Sequence, residues 1–137
     1  MILQVGVKAL LQNPQGKYLL LKRNTEKYKN IRGTWDIVGG RINPGTVLLE
    51  NLTREISEET GLELKETPTL IAAQDILTND ERHIVRLTYL AKIKGTPILS
   101  EESVEYSWVT FDELKNHQDL DIYCRMLIEQ GIINESK

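Results

Sequence analysis

A chain of 137 residues with 40% hydrophobic and 27% charged side chains has the length and composition of one folded globular domain. Its net charge of -3 gives no electrostatic basis for binding a nucleic-acid polymer or a membrane surface. The single cysteine, Cys124, excludes an intrachain disulfide and stands in an apolar segment, where we interpret it as a small buried side chain. Because the N-terminus lacks signal-peptide features and no apolar run approaches the ~18 residues of a membrane span, we expect a soluble, cytoplasmic protein.

The first third of the chain predicts three strands. The segment Asn13–Gly16, Asn-Pro-Gln-Gly, is a turn signal, so the first two strands are expected to form a hairpin. The third strand runs into Gly39-Gly40. The predicted elements in this part are strands at Leu3–Leu11, Tyr18–Lys22 and Trp35–Val38, with a polar loop at Asn24–Gly33.

A helix follows, and signals mark both of its ends. The Thr46 hydroxyl is suited to cap the amides at the N-terminus. Gly61 suits the position after the last turn, where a positive φ is favoured, and Leu62 offers the apolar contact that often follows. We therefore predict a helix over Val47–Thr60.

The second half of the chain predicts more strands and two short helices. The predicted elements are strands at Thr69–Gln74, His83–Ile93 and Tyr106–Thr110, a turn at Thr78–Asp80, a break at Gly95–Ser100, a helical turn at Phe111–Leu114 and a last helix from Asp119 or Asp121 to Gln130. Because strands and helices interleave without regular βαβ spacing, we expect a mixed sheet with helices packed on its faces.

Three glutamates, Glu55, Glu58 and Glu59, crowd the end of the predicted central helix. At roughly 100° per residue they share a wedge about 100° wide. This wedge overlaps an apolar stripe, which consists of Leu48, Leu49, Leu52 and Ile56. The carboxylates face the negative end of the helix dipole and repel one another, and unpaired charge beside an apolar stripe is unfavourable.

The spacing alone leaves two interpretations of this cluster. Carboxylate oxygens at close range suit Mg²⁺ or Mn²⁺, with substrate phosphates completing the coordination. The alternative is a surface helix that is simply acidic, in which Arg54 pairs with Glu50 or Glu58 but does not neutralise all three acids. Gly39-Gly40 before the helix is consistent with a close backbone approach to phosphate or with an ordinary turn.

The segment Gly40–Leu62 resembles the Nudix box, G-x5-E-x7-R-E-U-x-E-E-x-G-U, where U is aliphatic, at eight of its nine defined positions. The matching residues are Gly40, Arg54, Glu55, Ile56, Glu58, Glu59, Gly61 and Leu62. The stretch Gly33–Gly40, GTWDIVGG, is similar to the family segment that precedes the box, and Ser100–Leu114 is similar to its closing segment. The resemblance to the Nudix hydrolase family covers nearly the whole chain and implies a single domain over residues 1–137.

Four positions depart from the family pattern. Thr46 replaces the first glutamate of the box, Asn43 stands where many members carry another acid, Val38 replaces a proline, and Ser103 replaces a frequent histidine. The resemblance implies that the missing glutamate supports the loop–helix–loop unit, partly through Arg54. We expect Thr46 to cap the helix instead, with metal affinity or loop support weakened by about 10–100-fold.

The resemblance implies an α/β/α sandwich around a mixed central sheet, and Mg²⁺-dependent (or Mn²⁺-dependent) hydrolysis of a nucleoside diphosphate linked to another group. It implies Glu55, Glu58 and Glu59 as catalytic metal ligands, with a backbone carbonyl near Gly40 as a further ligand. The general base in this family often comes from a loop outside the box. Glu102 is our candidate, ahead of the neighbouring acids, and a box glutamate is the alternative.

Three residues are candidates for substrate binding. Arg23 and Arg41 flank the predicted site and are suited to clamp phosphates, while Trp35 either stacks on a base or packs at the end of its strand. The family's substrates include ADP-ribose and other nucleotide sugars, noncanonical nucleoside triphosphates and dinucleoside polyphosphates. The sequence does not choose among them, and the loops Asn24–Gly33 and Gln74–Arg82 are expected to decide.

A second function from another class also fits the resemblance. A Nudix-fold nucleotide-binding or sensor module with weak turnover is favoured by Thr46 and Asn43 and opposed by the intact set of three glutamates. Isoprenoid diphosphate isomerisation is poorly supported, because that branch uses a cysteine early in the chain and Cys124 lies near the end. The expected partner is a small-molecule nucleotide, and a homodimer is common in the family.

Overall fold

The computed structural model describes residues 1–26, 33–77 and 80–135. Within these residues, seven strands and three helices follow one another along the chain. They are β1 (Ile2–Gln12), β2 (Tyr18–Arg23), β3 (Trp35–Asp36), β4 (Val38–Arg41), α1 (Leu48–Thr60), β5 (Thr69–Ile76), β6 (Arg82–Lys92), β7 (Ser103–Val109), α2 (Phe111–Lys115) and α3 (Ile122–Glu129).

Strand β1 lies at the centre of a mixed sheet. It runs parallel to β6 along its whole length, and β6 pairs antiparallel with β5. On its other side, β1 pairs antiparallel with β4 over its middle and with β2 at its end, where the predicted hairpin forms. Strand β2 in turn pairs with β3 and β7. One side of β1 therefore meets two different groups of strands.

Helices cover both faces of this sheet. Val7, Ala9 and Leu11 of β1 point into a core shared with α1, whereas Leu10 points into a second core shared with α2 and α3. This alternation is the two-residue period of a strand that is buried on both faces. The expected α/β/α sandwich is confirmed, and Cys124 is buried in the second core as predicted. None of the helices in residues 1–26, 33–77 and 80–135 is long and apolar enough to cross a membrane.

The predicted strand Trp35–Val38 is in fact two strands. Its first two residues, in β3, pair with β2, and from Val38 onward the chain pairs with β1 as β4. The crossing depends on Gly39, which has a φ of 144° and lies so close to the Val7 backbone that a Cβ atom there would overlap it. The last strand also starts earlier than predicted, at Ser103 rather than Tyr106.

The predicted C-terminal end of α1 is confirmed, but its N-terminal cap is wrong. Gly61 has a φ of 69° and its N–H donates to the Ser57 carbonyl. The helix begins at Leu48, so Val47 holds the N-cap position and Thr46 lies one residue too early to cap it. The Thr46 N–H instead closes a turn onto the Asn43 carbonyl, at 3.2 Å.

The predicted apolar stripe of α1 is only half buried. Leu52 and Ile56 are buried in the first core, while Leu48 and Leu49 are 36% and 42% exposed. Fully burying such a side chain contributes roughly 1.5–3 kcal/mol, so the last turns of the helix carry most of its packing energy. In the first turn, the fully buried residue is the polar Asn51.

Candidate functional site

A cleft of about 710 Å³ opens beside β4 and the end of α1. Six of the sequence-predicted site residues line it: Arg23, Gly40, Arg41, Glu55, Glu59 and Glu102. Helix α1 and residues from each of the seven strands contribute to its walls. A second cleft of about 670 Å³ lies near Leu62 and is lined by none of the predicted site residues.

The acidic wall of the cleft is a pair of carboxyl groups. Glu55 and Glu59 are hydrogen-bonded to each other, and both are largely shielded from solvent, as their position beside the apolar stripe predicts. Glu58 shares the helix turn but projects outward, with its side chain 60% exposed. The structure therefore brings two of the three predicted ligands together.

The environment of Glu59 disfavours its charge. Burial raises the pKa of Glu59 to about 8, and the hydrogen bond and charge of Glu55, together with the charge of Glu102, add to the shift. The Lys8 ammonium acts in the opposite direction. Two carboxyl groups in contact cannot both ionise cheaply without a cation between or beside them.

Arg54 is the cation nearest to these acids along the helix. Its Nη1 donates to Glu55 at 2.6 Å and to Glu58 at 3.2 Å. Of the two predicted partners, Glu50 and Glu58, the second is confirmed, and Glu55 is an additional partner. Among residues 1–26, 33–77 and 80–135, no three His, Cys, Asp or Glu side chains are arranged as a complete metal-binding group. Arg54 thus engages two of the carboxylates that the resemblance assigns to a metal.

Gly40 lies against the Glu55 carboxylate. A Cβ atom at this position would overlap that carboxylate, so glycine leaves the space beside the acid open. The neighbouring backbone is held by Lys8, whose Nζ donates to the carbonyls of Ile37 and Gly39, each at 3.3 Å. A side chain from β1 therefore fixes the strand that faces the acidic helix.

Basic side chains also line the cleft, among them Arg41 and Arg82. Burial and the charge of Arg82 lower the pKa of Arg41. Arg41 also donates to Gln4 at 2.5 Å. Glu102 lies within electrostatic reach of Glu59, and its carbonyl accepts from the Asn24 N–H.

Of the other two substrate-binding candidates, Arg23 reaches the cleft, whereas Trp35 packs elsewhere. The Arg23 guanidinium lines the cleft but is paired with the carboxylates of Asp36 and Asp121. Among the described residues, those that line the cleft do not include Trp35. Its ring packs edge-on against His117 at 5.8 Å, because its strand pairs with the segment around Leu120 rather than facing the helix α1.

A buried ion cluster that the sequence analysis missed forms the floor of the cleft. It joins Lys8, Asp36, Arg86 and Asp121, with Arg23 at its edge. Burial alone would raise the pKa of Asp36, but the charges of Arg86, Lys8 and Arg23 hold it well below its usual range. A signal was present, since Lys8 and Arg86 are single charges inside otherwise apolar strands, where an ionised side chain requires a partner.

Parts of both predicted specificity loops fall outside the described residues. Residues 27–32 belong to the first loop, and residues 78–79 belong to the second and to the predicted turn there. The segment Gln74–Ile76, assigned to the second loop, is the end of β5.

Comparison with known proteins identifies the family. The NUDIX domain profile matches residues 2–126. The nucleoside triphosphatase NudI of Escherichia coli is 32% identical over 126 residues, which are 85% of this chain and 87% of that protein. The MutT protein of Methanosarcina mazei Go1 superposes with a TM-score of 0.78 at 29% identity, covering 93% of this chain and 91% of that chain.

The chain therefore belongs to the NUDIX family. Its enzyme class is that of hydrolases acting on the diphosphate bonds of nucleotide derivatives. A longer relative, the 8-oxo-dGDP phosphatase NUDT18 of Mus musculus, is 30% identical over 107 residues, or 74% of this chain. The match spans 31% of that protein's length. Divalent metal cations are general cofactors in the family.

Proposed function

We propose that this protein is a Mg²⁺- or Mn²⁺-dependent pyrophosphohydrolase of nucleoside diphosphate derivatives, and that nucleoside triphosphates, oxidised ones included, are its main substrate class. The observation that carries the proposal is the contact between Glu55 and Glu59 inside a cleft that is also lined by arginines. Such a cleft offers carboxylates to a cation and guanidinium groups to phosphates at the same time.

The residues present fit a hard divalent cation. The carboxyl pair of Glu55 and Glu59 is costly to ionise as it stands, and the lack of a side chain at Gly40 lets the Glu55 carboxylate lie against the backbone of β4 in the cleft. Oxygen donors of this kind suit Mg²⁺ or Mn²⁺. In the proposed site Glu55, Glu58 and Glu59 hold the cation together with a backbone carbonyl near Gly40, and Glu58 joins them by exchanging its contact with Arg54.

Each remaining residue has a separate task in the proposed mechanism. The cation supplies charge neutralisation of the phosphate oxygens and acidifies the attacking water. Glu102 accepts the proton of that water, since its carboxylate lies near Glu59 and just before the start of β7. Arg41 binds the phosphates from its place in the cleft lining. Arg23 also binds the phosphates, after it releases one of its two carboxylate partners.

The names of the relatives support the choice of substrate class. One is a nucleoside triphosphatase and another a phosphatase of 8-oxo-dGDP, so both act on nucleoside polyphosphates rather than on nucleotide sugars. We extend this class to the present protein and place its action in the cytoplasm. ADP-ribose is the competing substrate to be tested beside it.

The decisive experiment is a hydrolysis panel with two glutamine variants. The purified protein is incubated with Mg²⁺ or Mn²⁺ and with nucleoside triphosphates, 8-oxo-dGTP, 8-oxo-dGDP and ADP-ribose. Released phosphate and pyrophosphate are measured separately, and AMP is measured for ADP-ribose, whose hydrolysis gives AMP and ribose 5-phosphate. Glu59→Gln should lower kcat/KM by at least 100-fold. Glu50→Gln, an exposed acid on the same helix, should hydrolyse like the parent.

Two results would contradict the proposal in different ways. Equal hydrolysis by Glu59→Gln and the parent would show that the site is assigned wrongly. If no nucleotide is hydrolysed while the folded protein still binds nucleoside triphosphates, the protein is a nucleotide-binding module instead. Preferred hydrolysis of ADP-ribose would retain the site and overturn only the substrate class.

A further inference from the structure

Asn51 is a fully buried polar residue in the first turns of α1. Its side-chain oxygen accepts the Asn43 N–H at 2.9 Å and Arg54 Nη2 at 2.9 Å. Its side-chain nitrogen donates to the carbonyls of Thr46 at 2.8 Å and Val47 at 2.9 Å. One buried amide thus uses both its oxygen and its nitrogen, and joins the loop to the helix.

The bonds of Asn51 lead directly to the acidic wall of the cleft. Arg54, which Asn51 holds through Nη2, contacts Glu55 and Glu58 through Nη1 and reaches the Arg41 carbonyl at 3.4 Å. A guanidinium fixed on one side presents its remaining donors in a defined direction. The placement of Arg54, and with it that of two acids, therefore depends on Asn51.

Helix stability alone does not explain an asparagine here. Asparagine has a lower helix propensity than alanine or leucine, and its buried amide is unfavourable unless it is fully hydrogen-bonded. The loop that it holds, between Asn43 and Val47, includes Thr46, which stands where the Nudix box has glutamate. Since Thr46 does not cap the helix and its N–H bonds within the loop, the link from loop to Arg54 is made by Asn51.

We infer that Asn51 is a positioning residue for the carboxylate site, and that it holds Arg54 and the preceding loop in place of the glutamate that this chain lacks. The inference rests on the proposed function, because the carboxylates it positions are the proposed metal ligands. It also accounts for a functional site in a chain that departs from the box at Thr46.

The test measures Mn²⁺ binding by the protein without nucleotide, from the electron paramagnetic resonance signal of free Mn²⁺. Asn51→Leu fills the buried space but makes none of the four bonds, and Asn51→Ala removes them without filling it. Both should bind Mn²⁺ about 10–100-fold more weakly than the parent. All measurements are made at a temperature where circular dichroism shows each variant to be folded.

The matched control is Asn13→Ala. Asn13 also organises a loop, because its side-chain oxygen accepts the N–H groups of Gln15 and Lys17, but it lies outside the cleft. This variant should lower the melting temperature and leave Mn²⁺ affinity unchanged. A purely structural role for Asn51 would make its variants behave in the same way, and that result would overturn the inference.

Rescue by Thr46→Glu separates positioning from general damage. In the Asn51→Leu background, the added glutamate supplies a carboxylate for Arg54 and should recover at least tenfold in Mn²⁺ affinity. Failure of the rescue, with the double variant folded, would overturn the inference. A parent that binds Mn²⁺ but hydrolyses no nucleotide would overturn the proposed function and leave these binding comparisons valid, whereas a parent that binds no Mn²⁺ would overturn both.

Discussion

At the scale of single residues, buried charge is the dominant feature of this protein. Asp36 accepts from Arg86 at 3.0 Å and 3.3 Å, pairs with Lys8 at 3.1 Å and contacts Arg23, all in a region shielded from solvent. Removing one member of a buried pair is strongly destabilising, because the other charge is left without a partner. Asp36 compensates three cations, so it is the member whose loss should be felt most.

We predict that Asp36→Asn lowers the free energy of unfolding by about 3–5 kcal/mol. Asp75→Asn is the matched control, since Asp75 pairs with His83 at 2.7 Å but is 69% exposed, and its loss should change stability by less than about 1 kcal/mol. Urea unfolding followed by circular dichroism measures both. Similar losses in the two variants would contradict a special role for the buried cluster.

The same carboxylate predicts a dependence on pH. The pKa of Asp36 is lower in the folded protein than the value of about 3.9 expected after unfolding, so the unfolded chain binds more protons in acid. The stabilisation is complete above about pH 5 and is lost as the pH falls. The free energy of unfolding of the parent should therefore fall more steeply than that of Asp36→Asn between about pH 5 and pH 2, by up to about 1.4 kcal/mol per pH unit. Parallel slopes in urea unfolding across this range would contradict the prediction.

At the scale of elements, α1 divides into two halves with different tasks. Its later turns pack Leu52 and Ile56 against the sheet and hold the carboxyl pair, whereas its first turns are exposed except for Asn51. The angles of the residues around the helix axis cannot make this distinction, because they do not show which turns of the helix pack against the sheet. Leu52 and Ile56 meet the core, whereas Leu48 and Leu49 stay partly exposed despite their hydrophobicity.

Two leucine truncations on this helix should therefore differ. We predict that Leu52→Ala lowers the free energy of unfolding by about 2–5 kcal/mol, because it leaves a cavity in the core below the site. Leu49→Ala, at an exposed position three residues earlier, should change it by less than about 1 kcal/mol. Chemical denaturation of the two variants provides the measurement, and a comparable cost at both positions would show that the first turn is also packed.

At the scale of the whole molecule, the cleft forms where the helix α1 meets the sheet, on the side of β1 that pairs with two different groups of strands. Helix α1 contributes Glu55, Glu59 and Arg54, and strands β1, β2, β4 and β6 contribute the other basic residues. A ligand that bridges these walls binds the folded chain and not the unfolded one. Binding and global stability are therefore coupled through mass action.

This coupling predicts the effect of adding and removing metal. At a Mn²⁺ concentration 100 times its Kd, the folded state should gain about 2.7 kcal/mol, and chelation should abolish the gain. Glu59→Gln should lose most of the increase in melting temperature, while Glu50→Gln should retain it. Differential scanning calorimetry with and without chelator measures the shift, and an equal shift in Glu59→Gln would place the cation elsewhere.

How well each part of the site can be predicted from the sequence depends on how far apart the interacting residues lie along the chain. Glu55 and Glu59 are one helical turn apart, so their contact and their position beside the leucines follow from local geometry. The prediction that Thr46 caps the helix is wrong because the helix starts one residue later, where the Asn51 side chain holds the preceding loop. Of the two roles left open for Trp35, the structure shows packing, against His117, which lies too far along the chain for local geometry to identify it as the neighbour.

By itself the sequence determined the family, the sandwich of helices around a mixed sheet, and the acidic end of α1, because spacing within a helix and alternation along strands are local properties. The tertiary structure alone decided which charges meet. Lys8, Asp36, Arg86 and Asp121 are separated by many residues, and only the strand order brings them to one floor beneath the cleft. Their pairing is enforced by burial, since charges in a low-dielectric interior are stable only beside an opposite charge.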